Sequence, residues 1–178
     1  MRIFLVILIL IFSLQSSART DDIRDFEIEG MSIGDSLLDF FSESEIKEKI
    51  NSNTTYWYEN NGYVSILINS KNFEIYEEVG VVFNPADKKF IIESVEGTFN
   101  YRSDIDECYK KQKVITSDLK SIFLNNTEFS TYTIKYSSDK SGKSISKNNR
   151  FKFPNGGAIT VICYDMDKDF FDPNDQLY

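Results

Sequence analysis

The sequence predicts an α+β fold: a two-layer sandwich in which an antiparallel sheet carries helices on one face. The residue pattern changes period along the chain and gives the order helix, strands, helix, strands. The strand-like runs are short and separated by turn residues, which favours pairing of sequence neighbours. No second hydrophobic span or long linker interrupts residues 19–178, so the pattern fits one domain with a single sizeable core.

The elements follow in order. "MRIFLVILILIFSLQSSA", residues 1–18, has a basic start, an apolar run and small residues at Ser16 and Ala18, the layout of a cleavable secretory signal. Its apolar run is too short for the roughly twenty residues of a membrane span, so no stable membrane insertion is expected after cleavage. The domain is then residues 19–165, followed by an acidic tail, 166–178. After the acidic leader "DDIRDFEIE", Ser36 with Asp39 and Ser42 with Glu45 have the form of helix-starting capping boxes, which places a short helix or helix pair over about 35–50.

"TYWYE", "GYVSILINS", "FEIYEEVGVVFN" and "FIIESVEGTFNY" are rich in β-branched and aromatic residues and read as an antiparallel meander. From Ser103, paired with Asp106, the pattern is helical to about Leu124, with Ile105, Cys108, Gln112, Ile115, Leu119 and Ile122 on one stripe. "EFSTYTIKY", a polar excursion "SSDKSGKSISKN", then "RFKF" and "AITVICYD" joined by "PNGG" complete the strands. Asn155-Gly156 between alternating runs is a hairpin signal.

Charge excludes some partners. The chain has 20 basic and 28 acidic residues and no His, a net charge of −8 that becomes −9 once Arg2 leaves with the signal. An acidic exported protein repels nucleic acid and anionic membrane surface. The abundance of Phe and Tyr beside three Ala, three Pro and five Arg is what an AT-rich genome imposes, so it is no evidence by itself for ligand stacking.

Two cysteines remain in an oxidising compartment, Cys108 and Cys163. One on the helix stripe and one on the face shared by Ile159 and Val161 point at the same core, which favours a disulfide over two buried thiols. The bridge would close a loop of about 56 residues and contribute about 4 kcal/mol.

Four stretches suggest chemistry, and each has a plainer reading. "GDSL" (Gly34–Leu37) resembles the signature of serine esterases, but a nucleophilic Ser needs a base, here in the absence of any His, and Ser36 explains itself as a helix cap. "SSDKSGKS" (Ser137–Ser144) resembles the end of a phosphate-binding loop but has Ser137 where that loop needs Gly, and strands flank it. It reads as a solvated hairpin loop whose Lys140 and Lys143 could meet an anion or a partner. In "DMDKDFFDPND", Asp165, Asp167 and Asp169 mimic the first ligands of a calcium loop, with Phe170 where Gly is required and Gln176 where Glu is required. That leaves a weak cation candidate against a solvated acidic tail. In "TTYWYENNGY", Tyr56, Trp57 and Tyr58 could form a contact platform; alternation sends Trp57 to the face opposite Tyr56 and Tyr58, so at least one side is expected to be core.

The leader "DDIRDFEIEGMSIGDSLLDFFSESEIKEKI", "ECYKK", "SDKSGKS" and "ICYD" together resemble a family of small exported proteins of marine alphaproteobacteria. That family carries no assigned activity, so the resemblance implies a bacterial periplasm and no particular site. "IEGMSIGDSLLDFF" is similar, over about a dozen residues, to the opening of outer-membrane-assembly lipoprotein and β-lactamase-inhibitor-protein domains. There a Gly-Met precedes a short helix feeding an antiparallel meander, which implies a fold and a style of interaction.

The expectation is a periplasmic, non-catalytic binding protein without a cofactor, whose partner is an envelope protein or a glycan. The alternatives are a carboxylate- or divalent-ion-dependent hydrolase, a calcium- or glycan-binding module, and a structural envelope component.

Overall fold

The computed structural model describes residues 23–58, 61–101, 104–123, 125–167 and 170; the expected signal, residues 1–18, and most of the acidic tail lie outside them. Ser36 caps a single 3₁₀ turn, Leu37–Asp39, its hydroxyl accepting from the Leu38 N–H at 3.2 Å and donating to the Lys89 carbonyl at 2.6 Å. Ser42 opens α1 (Glu43–Ile50) through the full capping box with Glu45 that its spacing predicts. The only α1 residue buried outright is Ile46, and that contact seats the helix on the first sheet.

That sheet is a sequential antiparallel meander, β1 (Tyr56–Tyr58), β2 (Tyr63–Ile68), β3 (Glu78–Phe83) and β4 (Ile92–Thr98). On β2 and β3, Val64, Ile66, Ile68, Val79, Val81 and Phe83 alternate inward under α1, each burial worth about 1.5–3 kcal/mol. β3 starts five residues later than "FEIYEE" suggests. The Glu29 carboxylate accepts the backbone N–H groups of Glu74, Ile75 and Tyr76 at 2.8–3.0 Å, so those donors are taken by a side chain and not by a ladder. Gly97 lies beneath the Tyr76 ring, where a Cβ would sit 2.5 Å from ring carbon, so the approach requires glycine.

α2 (Ile105–Phe123) is capped by Asp104, whose carboxylate accepts the Glu107 N–H at 3.1 Å; the expected cap, Ser103, is outside the described residues. Its buried stripe is Gln112, Thr116, Leu119 and Phe123. Ile122, expected inward, is 52 % exposed. The stripe ends on Phe123 because steps of eleven residues from Gln112 and seven from Thr116 return to the same face of a 3.6-residue helix.

The second sheet is β5 (Glu128–Lys135), β6 (Ile145–Lys152) and β7 (Ala158–Asp165), antiparallel and sequential, with α2 packed on β7. β6 takes in "ISKN", which composition assigns to the polar loop. Ser146 and Asn148 are buried there and satisfied, the Asn148 amide donating to the Ser146 carbonyl and hydroxyl at 3.2 and 3.0 Å. The Cys108–Cys163 disulfide joins α2 to β7. Gln112 adds a second tie, its amide donating to the carbonyls of Lys147 and Val161 at 2.7 and 2.9 Å.

The α+β class and the helix, strands, helix, strands order hold, with the strands divided between a four-stranded and a three-stranded sheet. The interior is likewise two apolar clusters instead of the single core expected from length. One lies under α1; the other gathers Leu119, Phe123, Phe151, Phe153 and Ile159 under α2. The leader connects them: Ile23 belongs to the second, Ile28 and Met31 to the first, and Phe26 packs against both. Among the described residues no helix is long and apolar enough to cross a membrane.

Candidate interaction face

In β1, Tyr56 and Tyr58 register with Ser65 and Tyr63, and Trp57 registers with the core-facing Val64. Tyr56 and Tyr58 therefore stand on the sheet face without a helix, while Trp57 stands on the α1 side. All three are exposed, so neither side of this strand is core, contrary to the sequence expectation. The reason is position: β1 is the edge of its sheet, beyond the ground that α1 covers. The two tyrosine rings meet edge-on with centroids 4.8 Å apart.

Register places further residues on this helix-free face. Tyr63 and Leu67 of β2, Val82 of β3 and Glu96 of β4 share it with Tyr56 and Tyr58. In the second sheet, Cys163 faces α2, so Tyr164 must point away from it, together with Tyr132 and Ile134 of β5. Tyr56, Tyr58, Tyr132, Ile134 and Tyr164 are each 39–52 % exposed. Five large side chains thus stand exposed on two sheet faces that no described helix covers.

Desolvation marks several groups on these faces. Loss of water around Tyr58 raises its phenol pKa, and the neighbouring Tyr56 and Glu96 raise it further. Tyr164 is pushed up to about 12, by desolvation first and then by Glu96, Tyr136 and Tyr132. β4 and β7 are edge strands of their sheets. Glu96 is exposed to solvent, yet surrounding protein removes enough water to push its carboxyl above the usual range.

The remaining sequence candidates have structural roles. Asp139 is buried in the "SSDKSGKS" loop and accepts from the N–H groups of Ser141, Lys143 and Ser144 at 2.7–3.1 Å and from the Ser141 hydroxyl at 2.8 Å. These are the donors with which such a loop would hold a phosphate, and an internal carboxylate occupies them. Lys143 pairs with Asp167 at 3.1 Å, and the Asp167 N–H donates to the Ser144 hydroxyl at 3.0 Å. Lys140 is exposed. Asp165 accepts from the Tyr109 hydroxyl at 3.3 Å, so the two described members of the acidic triad are engaged separately; Asp169 lies outside the described residues. Among the described residues no three His, Cys, Asp or Glu side chains are grouped to hold a metal ion.

Two of these carboxylates make stability depend on acid. Hydrogen bonds from Glu74 and Tyr76 hold Glu29 below the ordinary carboxylate range. Burial raises Asp139, but bonds from Ser144 and Ser141 outweigh it and hold the group well below that range. A folded-state pKa below the unfolded value of about 4 gives stabilisation that is complete above about pH 5 and lost as the pH falls through the folded value. A Glu29→Gln/Asp139→Asn double variant should show a shallower fall in urea midpoint between about pH 5 and 2. An unchanged slope would show that neither carboxyl titrates differently on unfolding.

Comparison with family models, curated proteins and solved structures returned no match to this chain.

Proposed function

We propose that the protein is an exported, periplasmic, non-catalytic interaction protein that binds another envelope protein through the helix-free faces of its two sheets. The observation that carries this reading is the set of exposed aromatic and apolar side chains, Tyr56, Tyr58, Tyr132, Ile134 and Tyr164, placed on those faces by register and left uncovered by either helix. Tyrosine suits contact surfaces because it offers large area, a hydroxyl and few rotatable bonds. The disulfide supports an oxidising compartment, and residues 1–18 have the form of the export signal that would lead there.

Trp57 is a rim residue of this site. It projects from the α1 side of the edge strand, and the contact role expected of the aromatic triplet falls to Tyr56 and Tyr58.

The test is affinity capture of the tagged protein from cross-linked cells beside two variants. Tyr58→Ser/Tyr164→Ser should lose a stoichiometric partner by at least about tenfold while keeping the wild-type melting temperature, and Trp57→Ser should lose far less. Equal capture by all three would remove the face from the binding reading. Loss of binding to a polysaccharide fraction, with no protein captured, would make the partner a glycan.

A further inference from the structure

We infer that the free edge of β5 is a self-association site, at which two copies of this chain pair β5 with β5, antiparallel, about a twofold axis at Tyr132. The inference goes beyond the envelope-partner reading and does not depend on it.

The first argument is the state of the edge. The β5–β6 ladder runs from Glu128↔Lys152 to Lys135↔Ile145, and beyond it the Tyr136 N–H donates to the Ser144 carbonyl at 3.1 Å. Bonded pairs alternate along an antiparallel ladder, so Glu128, Ser130, Tyr132 and Ile134 turn their backbone groups toward β6. The N–H and C=O groups of Phe129, Thr131, Thr133 and Lys135 therefore point the other way. Among the described residues β5 has no strand neighbour besides β6, and no turn or side chain takes these outward groups. Every residue from Ser130 to Lys135 is exposed, because α2 packs on β7 and leaves β5 bare.

The second argument is the lack of protection. Edge strands are ordinarily guarded by shortness, charge, bulges or cover. β1 has three residues, β4 carries Glu93 and Glu96 and a register shift against β3, and β7 is buried or half-buried from Ala158 to Cys163. β5 has none of these. Its stretch Phe129–Ile134, "FSTYTI", is rich in β-forming residues and holds no charge and no proline.

The third argument selects a second copy as the occupant. Paired about Tyr132, Phe129 faces the copy's Lys135 and Thr131 faces the copy's Thr133, so the outward groups of one edge all meet those of the other. Centred one residue away, on Thr131, the ladder would set Lys135 against Thr127, outside the strand. On the helix-free face Tyr132 meets its own counterpart, with Ile134 on the diagonal. Each end of the ladder holds Glu128 of one copy and Lys135 of the other, opposite in sign, while the two Lys135 residues stand about 20 Å apart. Since β7 is covered, one pairing uses the open edge and closes the assembly as a dimer. The two three-stranded sheets become one, which lays Tyr132, Ile134 and Tyr164 of both copies on a continuous surface.

The test is sedimentation equilibrium of the purified exported protein at roughly 10–500 µM. It should show a monomer–dimer equilibrium that tightens with added salt, because screening relieves repulsion between two chains of net charge −8. Thr133→Pro removes an outward N–H and spares the bonds to β6, so it should weaken association at least about tenfold while keeping the melting temperature near that of the wild type. Tyr132→Lys and Tyr132→Glu each set like charges against each other on the axis and should be monomeric alone; mixed one to one, they should recover the dimer. That recovery reads the register and needs no proline to be tolerated. A monomer throughout the range, growth past the dimer, association undiminished by Thr133→Pro, or no recovery in the mixture would overturn the assignment.

Discussion

Replacing both Cys108 and Cys163 with alanine should cost about 4 kcal/mol, out of a total of about 5–15 kcal/mol for a domain of this kind. For a chain of this size that is a fall in melting temperature of about 8–16 °C. The bridge joins residues 55 apart in sequence, so it removes many open conformations from the unfolded chain. Alanine is the right replacement because Cys163 is buried, and a serine hydroxyl there would add a desolvation penalty of its own. Reductant added to the wild type should reproduce the shift, and the alanine variant should not respond to it. A melting temperature within a degree or two of wild type would mean that the bridge does not restrict the unfolded state, and that Gln112 and the apolar stripe of α2 alone hold β7. The effect extends to the binding face. Tyr164 follows Cys163 directly and points to the other side of β7, so whatever fixes that strand against α2 also fixes the tyrosine.

That relation was legible in the sequence, and most of the local structure was too. Alternation along "AITVICYD" assigns Cys163 and Tyr164 to opposite faces, and the stripe of "IDECYKKQKVITSDLKSIF" brings Cys108 round toward the core. The meander and the capping box at Ser42 follow from chemistry within a few residues. What sequence reasoning missed is non-local. Nothing in the run "FEIYEE" shows that Glu29, some forty-five residues upstream, takes its backbone donors. Nothing within single strands tells which of seven antiparallel strands share a sheet, so the division into two sheets and two apolar clusters was out of reach. The binding face was half visible. The dense cluster Tyr56, Trp57 and Tyr58 drew attention, whereas Tyr132 and Tyr164 stand alone in their strands and become a group only through register. The loop candidates misled for the opposite reason: "SSDKSGKS" has the composition of an anion site, and the residue that fills it, Asp139, is part of the same stretch.

The second large effect is expected at Phe123. Truncation to alanine should cost about 3–5 kcal/mol, because the ring is 1 % exposed and stacks edge-on against Phe153 at 5.3 Å and Phe26 at 6.5 Å. Its neighbour is the control: Ile122→Gln should change stability by no more than about 0.5 kcal/mol, since that side chain already faces solvent. Urea midpoints of the two variants decide the rotation of the helix, and a large loss at Ile122 with a small one at Phe123 would place the stripe as periodicity first suggests. The contact with Phe26 carries a further consequence. Phe26 lies in the leader and packs against both apolar clusters, so Phe123 is fastened through it to the cluster under α1. A double-mutant cycle between Phe26→Leu and Phe123→Leu should therefore give a coupling of about 0.5–1.5 kcal/mol. If it does, Phe26→Leu alone should also weaken capture of the envelope partner, though Phe26 belongs to neither strand that carries the contact tyrosines. A site divided between two sheets binds well only while the sheets hold their places, and any freedom between them must be given up when the ligand arrives.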